Sequence, residues 1–417
     1  MKKIWEPKSW YSAPNITWKK SFLLMFSCYF ILSALYFGGG SEFIYNQLVH
    51  PLVFSIRNRS GLFPQLDPRI KIYAVDHKTM ADIGVETIPA EEWTLFFKAL
   101  AKSRPQAIFI DKTFPLPISR DLQAMNDLSA QISMVHPISA GAFYVSNPIK
   151  GFSDIKTSTI NFDPSSLPWL KETPGFFYGP EPMLLKAFSH IGHTNYEGFG
   201  YIKPLIMIDD QRVMPFWSFN LPGVLSAKDG NLQFNSHPIP VNSKGQILVN
   251  LAPAEEYWKR TLSLVTSLQK SRQGRALDEI TSNDIVLILA DMVQGATAFK
   301  ATPSGTMPGG FIMAEVVNSV LGGTWLKSVG GEIVLTLVFC ILGMLLAVSL
   351  SPLYFASALL FWALFLITHG IVGFCFYNLL LPWAFPVIGL ISTSLLIYSE
   401  RVRVSELRSR HLRFSLE

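Results

Sequence analysis

The chain has 417 residues, of which 49% are hydrophobic and only 16% charged, with a net charge of +5. That is too few charges for an ordinary soluble protein and too many for a chain wholly immersed in lipid, so the apolar residues must be concentrated in segments. The three cysteines, Cys28, Cys340 and Cys375, all fall in such segments, which excludes a disulfide-stapled domain elsewhere and leaves the rest to be held by its own core.

From the N-terminus, a basic tail (Lys2, Lys3, Lys8, Lys19, Lys20) precedes the first apolar stretch, Ser21–Phe37. Three more follow late in the chain, at Ile333–Leu350, Phe355–Cys375 and Leu379–Tyr398, and none of the four carries Lys, Arg, Asp or Glu. At about 1.5 Å per helical residue each can cross a hydrocarbon core of roughly 30 Å. The 20-residue tail and the lack of a small-residue cleavage site predict a retained anchor rather than a cleaved signal. Arg401, Arg403, Arg408, Arg410 and Arg413 follow the last stretch. Basic residues beside a span stay on the cytosolic side. Four spans with basic ends therefore place both termini on the cytosolic side and the central domain outside the membrane. The expected division is a basic tail (1–20), an anchor (21–38), an extracytoplasmic domain (39–329), three spans (330–398) and a second basic tail (399–417). Residues 39–329 hold 25 basic and 25 acidic side chains, so charge gives no reason to expect nucleic acid as a partner.

Within the central domain, Ser41–Pro68 reads as an amphipathic connector. The run Ile70–Asp76 has the β-branched, continuously apolar pattern of a buried parallel strand. A helix over Ala90–Lys102 and a second strand over Gln106–Asp111 follow, a β-α-β order that predicts a neighbouring parallel pair. Further strands are predicted at Ile132–His136, Ile138–Phe143, Tyr201–Met207, Gln246–Leu251 and Asp284–Ala290. Helices are predicted at Met183–His190, Trp217–Ser226, Tyr257–Lys270 and Phe311–Leu321, with Gly151–Pro182 as an excursion from the sheet. The expected fold is an α/β domain with a mixed, partly parallel sheet, plus four transmembrane helices, one before and three after.

Several blocks resemble the CHASE sensor domain of the second type. Tyr73-Ala74-Val75-Asp76-His77-Lys78-Thr79-Met80 looks like that family's first strand and turn, and Ile108-Phe109-Ile110-Asp111-Lys112-Thr113-Phe114 like its second. Gly192-His193-Thr194-Asn195 is similar to its Gly-His-hydrophobe-Asn segment. The most specific block is Asp284–Ala290, then Gly295-Ala296-Thr297-Ala298, Thr302-Pro303 and Met307-Pro308-Gly309-Gly310-Phe311-Ile312; the helix start departs from the family at Ile312-Met313-Ala314. The resemblance spans about residues 41–400 and implies an extracytoplasmic sensor ahead of a cyclase, histidine kinase or similar output. About 18 residues follow the last span here, so an output is expected beyond Glu417 or on a separate protein.

Asp76 and Asp111, each at a strand end, are expected at the carboxyl edge of the sheet, where paired carboxylates bind a cation or an amine, or else cap turns and pair with Lys78 or Lys112. Gly295, Thr297 and Gly309 belong to loops whose N–H groups could cradle an anion, or whose glycines serve backbone geometry alone. His190 and His193 have no convincing third metal ligand. His369 is the one ionisable residue well inside a span, without an acid to relay a proton. No nucleophile elbow or phosphate loop occurs. No catalytic or metal site and no cofactor is expected, and the chain is not read as an enzyme. The two functional readings are a receptor relaying an envelope signal to a cytosolic output, and a structural or scaffold subunit of an envelope-spanning complex. The expected partners are the bilayer, a second copy or another membrane protein, and a cytosolic output protein.

Overall fold

Thr17 starts the first helix, its hydroxyl accepting from the Lys20 N–H at 3.4 Å. The computed structural model describes residues 16–84, 88–111, 114, 119–145, 147, 164–173, 175–209, 212–289 and 299–414. Helix α1 (Trp18–Leu35) continues through a π-helical turn (Tyr36–Gly40), α2 (Ser41–Ile44), a second π-helical turn (Tyr45–Val49) and α3 (His50–Arg59). Gly39, at φ +92°, supplies the kink that no residue with a Cβ adopts readily.

The strands and helices that follow are β1 (Ile70–Ala74), α4 (His77–Ile83), α5 (Ala90–Ser103), β2 (Ala107–Asp111), α6 (Leu122–Ser133), β3 (Ile138–Val145), β4 (Phe176–Tyr178), α7 (Pro182–Leu185) and β5 (His190–His193). Short antiparallel pieces come next: β6 (Tyr196–Gly198), β7 (Tyr201–Ile202), β8 (Leu205–Asp209), β9 (Arg212–Pro215), β10 (Leu225–Lys228), β11 (Asn231–Phe234), β12 (His237–Ile239) and β13 (Ile247–Leu248). The chain then returns to the sheet through α8 (Ala254–Trp258), β14 (Thr261–Ser263), α9 (Leu264–Arg272) and β15 (Ile285–Leu289). A hairpin, β16 (Phe299–Thr302) and β17 (Gly305–Pro308), leads into α10 (Gly309–Gly322). The last elements are β18 (Lys327–Ser328), α11 (Glu332–Ser349), α12 (Pro352–Tyr377), β19 (Leu379–Leu380) and α13 (Ala384–Phe414).

Two units result. One is Phe54–Leu326, and the other combines the residues up to Val53 with those from Lys327. In the first, the strands run in the order β14-β1-β15-β2-β3, with β4 and β5 both paired to β3. Every pair is parallel except β3–β4, so the sheet is mixed and the unit is α/β. The alternate residues Tyr73, Ile108, Ile110, Val286 and Ile288 face a core closed by Trp93, Phe96 and Phe97 of α5, Leu128 of α6 and Leu268 of α9.

The expected adjacency of β1 and β2 is corrected: β15 lies between them, with Leu289 in register with both Ala74 and Asp111. All five β15 residues are apolar and fully buried, so the central position suits it best. Other expectations change for equally local reasons. Ile132 ends α6, where Ala124, Met125, Leu128 and Ile132 form a helical stripe, and no strand starts there. Pro204 splits Tyr201–Met207 into β7 and β8, since it has no N–H for the ladder. Of Met183–His190 only the start is helical, and His190 opens β5. Of Trp217–Ser226 only a 3₁₀ turn at Trp217–Asn220 forms before Pro222-Gly223. The expected helix Tyr257–Lys270 breaks into α8, β14 and α9, because Thr261–Ser263 pairs with β1.

In the second unit, α1, α11 and α13 share a core that includes Met25, Leu32, Met344 and Phe385; α12 reaches it through Phe355 and packs further through Ala363 and Leu366. Four helical stretches are long and apolar enough to cross a membrane: Trp18–Arg59, Glu332–Ser349, Pro352–Tyr377 and Ala384–Leu407. Small residues set the approach of α11 to α13. A Cβ on Gly343 would lie 2.8 Å from the Leu390 carbonyl oxygen and 2.8 Å from Ser394 Oγ. Gly343→Val is therefore expected to lower stability by about 1–3 kcal/mol through overpacking, whereas Gly330→Val, with nothing within 4 Å, leaves it unchanged. Thermal unfolding of the detergent-purified protein checks both.

Candidate functional site

Arg57, near the end of α3, is wholly buried. An unpartnered guanidinium in that position would cost several kcal/mol, so its surroundings have to supply acceptors. Nη1 donates to Asn250 Oδ1, Nη2 donates to the Leu251 carbonyl at 3.0 Å, and the guanidinium carbon lies 4.7 Å from the Phe54 ring centroid. Asn250 is equally buried, and its Nδ2 donates to the Thr324 carbonyl at 2.6 Å. One side-chain amide thus ties residue 57 to residue 324, the opening and closing segments of the α/β unit.

Glu315 of α10 forms the second half of the cluster. It is wholly buried; Tyr257 Oη donates to its Oε2 at 2.6 Å, and Asn318 Nδ2 donates to its Oε1 at 3.0 Å. The Tyr257 hydroxyl in turn accepts from the Ala252 N–H at 3.2 Å, and the ring stacks on Phe311 at 5.0 Å. Asn318 also holds the segment ahead of β1, donating to the Gln65 carbonyl at 3.2 Å and accepting from the Asp67 N–H at 2.9 Å. Burial pushes the Glu315 carboxyl up to about 8, against the opposing pull of Tyr257, Asn318 and the Arg57 charge. Burial, with the nearby carboxylate, also raises the Tyr257 hydroxyl well above its ordinary value. A group titrating near neutrality beside a fixed guanidinium can change the net charge of a sealed cluster by one proton.

Asp76 follows β1 and caps α4. Its Oδ1 accepts from the Thr79 N–H at 2.9 Å and from the hydroxyls of Thr79 and Ser263, each at 2.8 Å. Burial would raise its pKa, but these hydrogen bonds outweigh it and hold the carboxyl below its ordinary value. Asp111 ends β2 and is buried. With β15 between their strands, the two backbones lie about 10 Å apart at ~4.8 Å per strand, and the acids are not brought together. Gly309 opens α10 behind Pro308. Its neighbour Gly310 lets the helix press on β15, since a Cβ there would come within 2.8 Å of Leu289 Cδ1. Gly295 and Thr297 lie outside the described residues.

His190 and His193 sit on one strand at an odd spacing and face opposite sides of it. His193 is wholly buried, and burial, aided by Lys203, pushes its pKa down to about 3. Among the described residues no group of three or more potential metal ligands occurs. His369, on α12, stacks on Phe365 at 5.9 Å.

The sequence reading did not single out Arg57, Asn250, Tyr257, Glu315 or Asn318. One signal was present: Glu315 and Asn318 stand in the largely apolar Phe311–Leu321 at helical i, i+3 spacing, which puts two polar side chains on one face of a buried helix. A family model described as the CHASE2 domain matches residues 28–347. No curated protein and no solved structure matches.

Because the folded Glu315 carboxyl holds its proton more tightly than the unfolded chain does, its contribution to stability is complete below the ordinary value of 4.5 and is lost as pH rises toward about 8. Unfolding midpoints measured from pH 5 to 8 are expected to fall, and Glu315→Gln to flatten that fall. Asp76→Ala is expected to cost about 1 kcal/mol through loss of the cap, read from denaturant midpoints.

Proposed function

Since the chain belongs to the CHASE2 family, a family of extracellular sensor domains, we propose that it is a membrane-anchored sensor that relays an envelope signal through its apolar helices to a cytosolic output. That output acts in trans or lies beyond Glu417, and the α/β unit has no catalytic step of its own. The proposed setting is a bacterial inner membrane, with the α/β unit outside and both basic tails in the cytosol, as the flanking lysines and arginines favour.

One observation carries this reading. The Arg57–Asn250–Thr324 link joins the segment that enters the α/β unit to the one that leaves it, and Asn318, itself bonded to Glu315, ties α10 to the loop before β1. A ligand can shift such a device only by binding its two states with different affinity. A buried polar network of this kind disfavours intermediate arrangements, because breaking one member strands the others in low dielectric.

Two engineered cysteines test the proposal. With Arg410→Cys in the tail and Lys228→Cys in β10, a membrane-impermeant maleimide is expected to label 228 on spheroplasts and 410 only in inside-out vesicles. The relay adds that Glu315→Gln changes the labelling rate at 410 in folded protein. Labelling of 410 from outside overturns the topology, and rates at 410 that stay identical with Glu315→Gln and with Asn250→Ala overturn the relay.

A further inference from the structure

Cys28 on α1 and Cys340 on α11 stand 312 positions apart in the chain, yet both are buried in the core shared by α1, α11 and α13. Both sulfurs face one turn of α13. Cys28 Sγ is 3.1 Å from Ser392 Oγ. Cys340 Sγ is 3.0 Å from the point where a Cβ on Gly389 would sit, so the missing side chain at 389 is what makes room for it. The two thiols are each other's neighbours at that turn. Cys375 lies on α12, outside this core.

We propose that Cys28 and Cys340 form a dithiol modification site, oxidised by a hydroperoxide to an intramolecular disulfide that staples α1 to α11. An uncharged peroxide reaches a buried sulfur more readily than a charged oxidant does. Cys28 is the first to react, as the less deeply buried of the two (8% exposed against 0%), with the Ser392 hydroxyl 3.1 Å from its sulfur. The Cys28 thiolate attacks one peroxide oxygen, the O–O bond breaks, and the other oxygen leaves with a proton as water (as an alcohol from an alkyl peroxide), giving a sulfenic acid. Cys340 sulfur then attacks the Cys28 sulfur; the S–S bond forms, the S–O bond breaks, and the hydroxyl takes the Cys340 proton as a second water. Overall, two thiols and one hydrogen peroxide give one disulfide and two waters. The product joins the helix before the α/β unit to the first helix after it. It does not depend on the sensor reading and needs only the packing of α1 on α11.

The test uses the full chain in native membrane vesicles. Hydrogen peroxide is titrated in, remaining thiols are blocked with N-ethylmaleimide after denaturation, and peptides containing residues 28, 340 and 375 are mapped by mass. The expected result is loss of maleimide addition at both 28 and 340 within one monomer, with a linked peptide pair lighter by two hydrogens. Cys375 should remain alkylated, and dithiothreitol should restore both thiols. Cys28→Ser should leave Cys340 alkylated and Cys375→Ser should change nothing, while mapping of the unaltered chain decides the question even where a variant folds poorly. Full alkylation of 28 and 340 under peroxide that oxidises an exposed Arg410→Cys thiol overturns the proposal. So does a linkage found only between chains, or a sulfinic acid without a disulfide.

Discussion

The burial of Arg57 is the constraint around which the α/β unit is arranged. A guanidinium cannot shed its charge, so its donors must meet acceptors wherever the fold puts them. Asn250 and the Leu251 carbonyl meet that need from the stretch just before α8, and Asn250 then has an N–H to place, which it gives to Thr324. Each satisfied group creates the next requirement. The chain around residue 250 has little regular structure because its polar groups serve Arg57 and the end of α10 instead of a ladder.

Glu315 extends the same logic to the face of the sheet opposite α5, α6 and α9. Helix α10 is buried on every side through Ser319, where a helix of that kind would ordinarily carry no acid. The carboxyl is tolerated because Tyr257 and Asn318 donate to it and because burial favours its neutral form. Replacing one member leaves the rest buried without a partner, which is more costly than never having had the network. Such a network therefore specifies one arrangement of α3, α8 and α10, and any second arrangement has to satisfy all its members again.

Strong local patterns were readable from the chain alone. Uninterrupted apolar runs marked the four long helices, and β-branched runs ending in acid marked β1 and β2. The amphipathic face of Trp93, Phe96, Phe97 and Leu100 marked α5 almost to the residue. What local pattern cannot carry is sheet order: β15 is inserted between β1 and β2 by pairings 215 and 178 residues distant in the chain. Nor does it separate a short strand from a helix when, as at Thr261–Ser263, three residues decide the matter. The cluster around Arg57 was hidden for the same reason. Its members come from five stretches of chain, and an arginine at the end of an amphipathic helix reads as solvated until the partner from position 250 is in place. The capping role of Asp76 was one of its two readings in the sequence; the third partner, Ser263, is visible only once β14 lies beside β1.

The helical unit follows a different rule, because in lipid no hydrophobic drive presses helices together, and small residues and polar ties take over. Gly343 and Gly389 bring α11 and α13 into close contact. At one end of that pair Tyr45 donates to Glu332 at 2.5 Å, and at the other Arg401 donates to the Ala347 and Leu350 carbonyls that α11 leaves unsatisfied at its C-terminus. Lys20 and Arg403 converge on Glu400 there as well. With polar ties at both ends, α1, α11 and α13 cannot slide by small degrees: a shift along the axis breaks a bond at each end before another can form, and none of these ties involves α12. Under the proposed relay this makes the transmitted change a step between registers, the same all-or-none behaviour that the Arg57 and Glu315 cluster imposes on the α/β unit.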